Sequence, residues 1–474
     1  MRPGKLGRSR AAPVHHGLRE RLGEDAAAGW RKARHNNGST AVAVRLNSGM
    51  TERGRARALQ TVGLVSGFTA GAWLGAAEAP TKLVTVGISP VVISLIMVIG
   101  VFLARWSVPA LILGTSSIRA DVARTPHLLI WALLAGCIWA VANTLTIFAI
   151  RDVGLSIAFP LWNSNSLLGI LWGFVFFNEL RNAGARRWAG VLGGVLVMCF
   201  GAWLLAVASS ATAAGPAVAH ASRGIAAALG AGILWGTMYI PYRKAYLTGM
   251  NPLSFVTFFT FGEVGMMGTL AVSFTGTAGL WRQLVDAKEV LFWLMIGGFV
   301  WVIGDLFQQY AAKYVGISRG IPLSNSNQIW GLLWGVFVFG ELHGRSASVY
   351  GQVVGGSLLM MLGVGAIAFS SATGAEQVKW RDAARRECER YDLAEEFVEA
   401  RMDGRRAEGE AASKRGIVDW VLIVAATGVF VYFASMAGVP RMDFNWAAAG
   451  VLTLVSVGML VVCGVVIGRT TGFR

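Results

Sequence analysis

Two apolar segments of the chain contain the same polar core, Pro-Leu-x-Asn-Ser-Asn, at residues 160–165 and 322–327. Asparagine side chains offer paired hydrogen-bond donors and acceptors, which match the hydroxyl groups of a small polyol such as a sugar. Proline has no backbone N–H, so Pro160 and Pro322 leave a carbonyl group one turn earlier without its usual helical partner. The pattern predicts a binding site for a small polar solute inside an apolar region.

Helical periodicity divides each motif between two faces, because positions two apart on a helix point about 200° apart. One face is a stripe of small residues typical of helix packing, and we assign this role to Asn165, Gly169, Gly173, Asn327, Gly331 and Gly335. The other face is predicted to line a cavity and to bind substrate through Asn163, Ser166, Asn325 and Gln328. The alternative is that all four asparagines are structural.

Three acidic residues, Glu78, Glu263 and Asp305, stand inside apolar runs. A carboxylate within a bilayer is costly and is therefore a functional candidate by default. Proton coupling needs a buried carboxyl group that can gain and lose a proton, and we predict that role for these three residues. The alternative is that a carboxylate pairs with Arg319 or Arg243 and locks two helices together.

The amino-acid composition indicates that the protein which positions these groups is a membrane protein. The chain has 474 residues, of which 54% are hydrophobic and only 14% charged, whereas soluble domains carry about 25% charged residues. A soluble enzyme, a disordered chain and a fibrous protein are therefore excluded. The net charge of +16 lies at the ends and in short loops, which argues against a nucleic-acid partner. The four cysteines form no Cys-x-x-Cys pair, so neither a disulfide framework nor a metal site is indicated, and no cofactor is expected.

Twelve apolar runs have the length needed to span a bilayer, about 20 residues each. They cover residues 59–80, 88–112, 128–150, 154–178, 187–208, 224–242, 253–275, 290–312, 316–340, 348–370, 417–437 and 446–467. The alternation expected of a barrel strand is absent, so all are predicted to be helices. The fold class is an all-α integral membrane protein.

The domain boundaries follow from shifts in composition. Residues 1–57 carry 13 Lys/Arg against 4 Asp/Glu and are predicted to be a disordered cytoplasmic flank. Residues 58–210 and 211–370 form two five-helix units, 371–415 a charged linker, and 416–474 a C-terminal transmembrane hairpin. Both termini are then cytoplasmic, and the cell (inner) membrane is the predicted location.

The linker and the hairpin have separate predictions. Apolar side chains recur at spacings of three and four in the linker, at Trp380, Ala384, Cys388, Tyr391, Ala394 and Val398. That spacing predicts an amphipathic cytosolic helix, with a solvated linker favoured over a regulatory or partner-binding element. The hairpin is expected to pack on the core or on a second subunit, so a homo-oligomer is an open alternative.

An internal repeat organises the core. Residues 153–180 and 315–342 align without a gap at an offset of 162, with 15 of 28 positions identical. The same offset pairs Trp139 with Trp301, and Asn143 with Asp305. Five spans per repeat is an odd number, so the second copy must enter the membrane from the opposite side. Inverted repeats of this kind are common in secondary transporters, whose substrate site lies at the repeat interface.

Trp139 and Trp301 are further candidates for substrate binding, because sugar rings stack on indoles. Tryptophan in membrane proteins more often packs or anchors at interfaces, so packing is the alternative. Glu179 and Glu341 also match across the repeat and end their helices, and we interpret them as structural.

Five-plus-five inverted helices resemble the drug/metabolite transporter superfamily. Residues 316–342, GISRGIPLSNSNQIWGLLWGVFVFGEL, look like the signature helix of its bacterial glucose/ribose porters. Residues 134–156, LAGCIWAVANTLTIFAIRDVGLS, resemble the rhamnose–proton symporter pattern. The resemblance implies uptake of a monosaccharide by alternating access, coupled to protons, and no enzymatic activity. The chain departs from the pattern in its extra segment 417–467 and in Asp305, where the pattern has Asn.

Two rival functions stay open at this stage. A drug, metabolite or nucleotide-sugar exporter would share the fold, but a nucleotide-sugar carrier needs several cationic side chains for the phosphates. Only Arg319, Arg243 and Lys244 could supply them. A membrane enzyme is disfavoured because no His/Asp cluster, Ser/His arrangement or metal-ligand spacing is found. A scaffold would have no need of polar Asn-Ser-Asn groups in both repeats.

Overall fold

The computed structural model describes residues 52–82, 87–177, 184–211, 216–370, 374–406, 415–438 and 445–473. Within these ranges the regular structure is helical and no strand occurs. Of the segment 1–57, which is predicted to be disordered, residues 1–51 lie outside the described residues. The architecture is therefore that of an all-helical integral membrane protein, as the composition predicts.

Eight helices make up the first half of the core. They are α1 (Glu52–Ala77), α2 (Ala79–Lys82), α3 (Pro90–Ile112), α4 (Thr115–Arg124), α5 (Leu128–Val153), α6 (Leu155–Trp162), α7 (Asn165–Phe177) and α8 (Ala185–Ala211). Proline at the first position of α3 suits a helix start, because its missing N–H has no intrahelical partner there. The short α4 connects α3 to α5.

The second half repeats this order, and residues 277–286, which follow a kink at Gly276, correspond to α4 at the offset of 162. It contains α9 (Pro216–Leu247), α10 (Pro252–Asp286), α11 (Leu291–Val315), α12 (Ile317–Ser324), α13 (Asn327–Leu333), a π-helical turn (Trp334–Val338) and α14 (Ala347–Ser370). Four helices follow, α15 (Gly374–Tyr391), α16 (Glu395–Met402), α17 (Ile417–Ser435) and α18 (Trp446–Thr471).

Both halves contain a helix that is interrupted at the polar motif. The α6–α7 and α12–α13 pairs break at Asn163 and Asn325, whose backbone angles agree within 1°. Each broken helix begins after a glycine with positive φ, 81° at Gly154 and 86° at Gly316, a conformation that L-residues rarely adopt. The two motifs therefore impose the same local structure 162 residues apart.

Nine helices in the described part of the chain are long and apolar enough to span a membrane, against twelve apolar runs in the sequence. Two of the remaining three runs are the broken pairs α6–α7 and α12–α13, whose pieces are short. The third is α1, in which glycine, serine and threonine lower the mean hydropathy. The number of spans predicted from the sequence is thus reproduced only in part.

Helices of the two halves cross at glycines. A Cβ added at any of four glycines would collide with a backbone carbonyl of the neighbouring helix: Gly100 meets Met295, Gly262 meets Leu133, Gly136 meets Phe259 and Gly298 meets Met97. The glycines form pairs 162 residues apart, and so do their partners. These contacts allow α3 to pack closely on α11, and α5 on α10.

The linker forms two helices rather than one, separated at Asp392, which has a positive φ of 52°. Its predicted apolar face is not solvated, because Ala384, Cys388 and Val398 are buried together with Leu247 of α9. A buried ion pair of 3.0 Å joins Arg401 to Asp121 of α4. The linker therefore packs on the helix ends at one end of the bundle, named here the linker face.

The two C-terminal helices, α17 and α18, each pack on the core through one side. Phe430 of α17 meets Phe299 of α11 edge to face at 5.5 Å, and Trp73 Nε1 of α1 donates to the Ser456 carbonyl of α18 at 2.9 Å. The outer sides of both helices expose large apolar residues, including Val424 and Leu454. Such surfaces suit contact with lipid, and the predicted homo-oligomer stays a prediction.

The glycine crossings yield a stability prediction. Replacing Gly262 with Ala should force α5 and α10 apart and lower the free energy of unfolding by about 1–3 kcal/mol, the usual cost of overpacking. Gly265 lies one turn away on the same helix and has no atom within 4 Å of an added Cβ, so Gly265→Ala is the matched control. Thermal unfolding in detergent measures both, and equal melting temperatures for the two variants would contradict the crossing.

Candidate functional site

The two broken helices meet at their interruptions and exchange hydrogen bonds. Asn163 Nδ2 donates to Asn327 Oδ1 at 2.6 Å, and Asn325 Nδ2 donates to Asn165 Oδ1 at 2.7 Å. All four side chains are buried. The polar cores of the two repeats thus form one amide cluster, in which each half satisfies the other.

The break changes the division of faces that a continuous helix predicts. Asn165 and Asn327, assigned to helix packing, line the same cavity as Asn163 and Asn325. The glycines of the predicted stripes do pack on the opposing broken helix: Gly169 approaches Ile321, Gly331 approaches Phe159 and Gly335 approaches Ser156, while Gly173 is buried within α7. The glycines therefore lie at the contact with the opposing helix, whereas the asparagines line the cavity.

A cavity that is partly open to solvent lies beside the amide cluster. Its polar and aromatic lining comes from the residue that follows α1, from α6, α7, α9, α11 and α13, and from the breaks after α6 and α12, and it comprises the four asparagines with Glu78, Phe159, Trp162, Trp235, Tyr239, Trp301 and Gln308. Trp301 thus lines the cavity as predicted for a substrate-binding residue, whereas Trp162 and Trp235 were not among the predicted site residues.

Several polar atoms of this lining are buried without a hydrogen-bond partner in the described part of the chain. They are the indole N–H groups of Trp162 and Trp235, Asn163 Oδ1 and Glu78 Oε1. Buried polar groups are normally paired, with protein or with another molecule. The residues that line the cavity thus carry donors and acceptors that the described part of the protein does not pair.

Three predicted substrate-binding residues stand behind this lining rather than in it. Ser166 Oγ accepts a hydrogen bond from Asn325 Nδ2 at 2.6 Å. Gln328 Nε2 donates to the Ser357 carbonyl at 3.5 Å, and Trp139 lies edge to face against Trp301 with ring centroids 4.7 Å apart. Ser166 and Trp139 thus support cavity residues from behind, whereas Gln328 joins α13 to α14.

The three acidic residues separate into two sites. Glu78 lines the cavity, is 2% exposed, and has no ion-pair partner among the residues that the structure describes. Glu263 and Asp305 lie together elsewhere, on either side of Arg105. Arg105 Nη1 is 3.1 Å from Glu263 Oε2, and Nη2 is 2.7 Å from Asp305 Oδ2.

The alternative stated from the sequence, that a carboxylate pairs with an arginine, therefore holds for Glu263 and Asp305, but the partner is Arg105 rather than Arg319 or Arg243. Arg243 instead lies over the ring of Trp380, 4.2 Å from its centroid. Arg105 is a single cation within the apolar run VFLARWSVPAL of α3. The reasoning that selected the buried acids applies equally to a buried arginine and would have identified it.

The two carboxylates of this cluster are not equally bonded. Asp305 accepts hydrogen bonds from Arg105 Nη2 and from Gln309 Nε2, each at 2.7 Å, and Tyr246 in turn donates to Gln309. Glu263 has the contact with Arg105 but no hydrogen bond to either carboxylate oxygen within the described ranges. Asp305 is therefore held as an anion more firmly than Glu263.

Glu341 has the structural role predicted for it. Its carboxylate accepts from the backbone N–H groups of Leu155 and Ser156, each at 2.9 Å, and so caps the start of α6. Burial alone would raise the pKa of Glu341, but Lys82 at 3.1 Å and these hydrogen bonds outweigh it and hold the pKa below its ordinary value. Its counterpart Glu179 lies outside the described residues.

Comparison with known proteins gives a consistent assignment. Residues 227–388, from α9 into α15, match the family model described as sugar transport protein. A sugar uptake protein of Lactobacillus johnsonii is 32% identical over 114 residues, which are 23% of this chain and 39% of that protein. One from Streptococcus pyogenes serotype M1 is 31% identical over 132 residues, 24% of this chain and 44% of that protein.

The glucose uptake protein GlcU of Staphylococcus xylosus is 25% identical over 240 residues, 49% of this chain and 76% of that protein. The chain spans less than half the length of the first two relatives. Their names agree with the prediction of a transporter rather than an enzyme. The predicted resemblance to sugar transporters is confirmed over part of the chain, which is similar to these sugar transport and sugar uptake proteins.

Proposed function

We propose that this protein is a secondary transporter that takes up a monosaccharide by alternating access, coupled to protons. The observation that carries the proposal is the cavity at the junction of the two broken helices. Its unpaired indole N–H groups, amide oxygen and carboxyl group match the hydroxyls of a sugar, and its aromatic faces match the apolar faces of a sugar ring.

An inverted repeat explains why the site lies at this junction. The matched helix order, the equivalent breaks at Asn163 and Asn325, and the glycine crossings at an offset of 162 all support such a repeat. Each half has five membrane spans when a broken helix is counted as one span. An odd number of spans places the two copies in opposite orientations, so each broken helix reaches the middle of the membrane from a different side. We further propose that the linker face is cytoplasmic, since the Arg-rich flank precedes α1.

The charge of the cavity favours a neutral sugar over a nucleotide sugar. Its described lining contains no Lys or Arg, and its titratable carboxyl group is that of Glu78. The phosphates of a nucleotide sugar would face this carboxyl group without a cationic partner. Lys244, a candidate from the sequence, instead lies 3.8 Å from Glu387 of the linker.

Coupling to protons follows from the charges of the buried cluster. With both acids ionised, Arg105, Glu263 and Asp305 carry a net charge of −1, and one proton makes the cluster neutral. Burying a net charge is costly, whereas a neutral cluster avoids most of that cost. Glu263, which has fewer hydrogen bonds than Asp305, is the residue that we propose takes the proton.

Uptake by proteoliposomes tests the proposal directly. Radiolabelled glucose, ribose, rhamnose and a nucleotide sugar are each offered with and without an inward proton gradient. We expect saturable uptake of one monosaccharide, increased by the gradient. Transport of the nucleotide sugar alone, or release from loaded vesicles with no uptake under any gradient, would instead favour an exporter.

The unpaired indole groups give a prediction about binding. Trp235→Phe keeps a ring in the cavity wall but removes one N–H donor. Losing one hydrogen bond of about 1 kcal/mol should raise KM about fivefold and leave the maximal rate nearly unchanged. Trp203→Phe is the control, since Trp203 is 57% exposed on the outside of α8. Equal KM values in the two variants would show that the indole N–H of Trp235 does not bind the sugar.

Glu78 and Glu263 are expected to differ in their effects. Glu78→Gln should raise KM about tenfold, equivalent to about 1.4 kcal/mol of lost binding, because it changes a carboxyl group inside the cavity. Its ratio of gradient-driven accumulation to counterflow should match that of the unmodified protein. If accumulation disappears while counterflow persists, Glu78 is a proton-coupling residue, as the sequence alone predicted.

Glu263→Gln should have the opposite pattern, because its amide cannot exchange a proton. We expect sugar counterflow at equal pH to persist and gradient-driven accumulation to fall about tenfold or more, within the range of coupling between sites. Asp286→Asn, at the exposed end of the same helix, is the matched control. Full accumulation by the Glu263 variant would overturn its proposed role.

A further inference from the structure

Trp301 is in contact with both the cavity and the charged cluster. Its ring lines the cavity, and the guanidinium carbon of Arg105 lies 5.0 Å from the centroid of that ring. Trp139 packs edge to face against Trp301 at 4.7 Å. The indole therefore separates the solute space from the buried charges.

The helix that carries Trp301 also carries other groups of both sites. On α11, Asp305 lies one turn after Trp301 and belongs to the charged cluster, and Gln309 bonds to it at 2.7 Å. The neighbouring Gln308 lines the cavity and donates to Ser324 Oγ of α12 at 2.6 Å. One helix, α11, thus carries groups of both the charged cluster and the cavity.

Arg105 is fixed by two anions and two rings. Besides Glu263 and Asp305, its guanidinium lies over Phe259 of α10, 4.3 Å from the ring centroid, and over Trp301. The hydroxyl groups of Tyr239, Tyr242 and Tyr246 on α9 are further titratable groups that interact with this cluster. Protonation of Glu263 removes one of the two anionic contacts, so Asp305 then attracts the guanidinium alone.

A guanidinium that moves toward Asp305 changes its position over the indole. The attraction between a cation and an aromatic face depends on where the cation lies above the ring. Trp139 is fully buried behind Trp301 and limits movement in that direction. The free side of the indole is the cavity, so a change at Arg105 acts on the cavity wall.

We propose that Trp301 is a positioning residue that transmits the protonation state of the Arg105–Glu263–Asp305 cluster to the sugar cavity. The inference rests on the proposed function of sugar uptake with proton coupling. It adds the physical connection between the proton site and the solute site, and it predicts that coupling and sugar transport can be separated at this side chain.

The test compares Trp301→Leu, Trp301→Phe and the unmodified protein in two proteoliposome assays. Sugar counterflow at equal pH reports binding and translocation, and accumulation under an inward proton gradient reports coupling. Because the ring also lines the cavity, we expect Trp301→Leu to lower counterflow, and to lower accumulation about tenfold or more beyond that, so that the ratio of accumulation to counterflow falls by the size of the lost coupling. Trp301→Phe keeps an aromatic face for Arg105 and should recover part of the accumulation.

Arg105→Lys provides a second route if the leucine variant does not fold. Lysine keeps the charge but lacks the planar fork that bonds two carboxylates and stacks on a ring, so it should uncouple in the same way. A parallel fall of both activities in the Trp301 and Arg105 variants would mean that Trp301 only packs. Absence of counterflow in the unmodified protein would instead overturn the proposed function, and the inference with it.

Discussion

A polar group inside a membrane must be paired within the protein, and this constraint shapes the core of the molecule. The amide cluster meets it by pairing the two interrupted helices with each other, as in the bond between Asn163 and Asn327. Glu341 satisfies the same constraint at the start of α6, where its carboxylate accepts hydrogen bonds from the N–H groups of Leu155 and Ser156. Each half of the chain thus supplies what the other leaves unpaired, and neither broken helix would be stable in lipid alone.

The charged cluster breaks this correspondence between the halves. At the offset of 162, Arg105 corresponds to Met267, Glu263 to Val101 and Asp305 to Asn143. The three matching residues carry no charge, and one of them, Asn143, donates a hydrogen bond from Nδ2 to Ser94 Oγ at 3.3 Å. Three charges are thus confined to one of two equivalent locations. A scaffold held only by packing would not need them, because a neutral set fills the matching location.

The sequence predicts the helices well, because apolar length and the repeat are both properties of contiguous segments. The faces of the polar motif are less predictable, since the interruption at Asn163 and Asn325 redirects residues that a continuous helix would separate. Arg105 was missed as a partner because pairing depends on how α3 packs between α10 and α11. The burial of the linker on α9 was likewise missed, since amphipathic spacing gives a face but not its partner.

The position of the cavity relative to the cluster limits how the two can communicate. Glu78 and the asparagines line the solute space, whereas Glu263 and Asp305 are joined to Arg105, which stacks on the wall of that space. A proton on Glu263 therefore need not touch the solute to affect it. In the coupling that we propose, the proton acts by changing the number of anions that hold one arginine, and that arginine lies against Trp301 of the cavity wall. Separating the charge from the solute keeps the cavity free of the cation and leaves its lining suited to a neutral ligand.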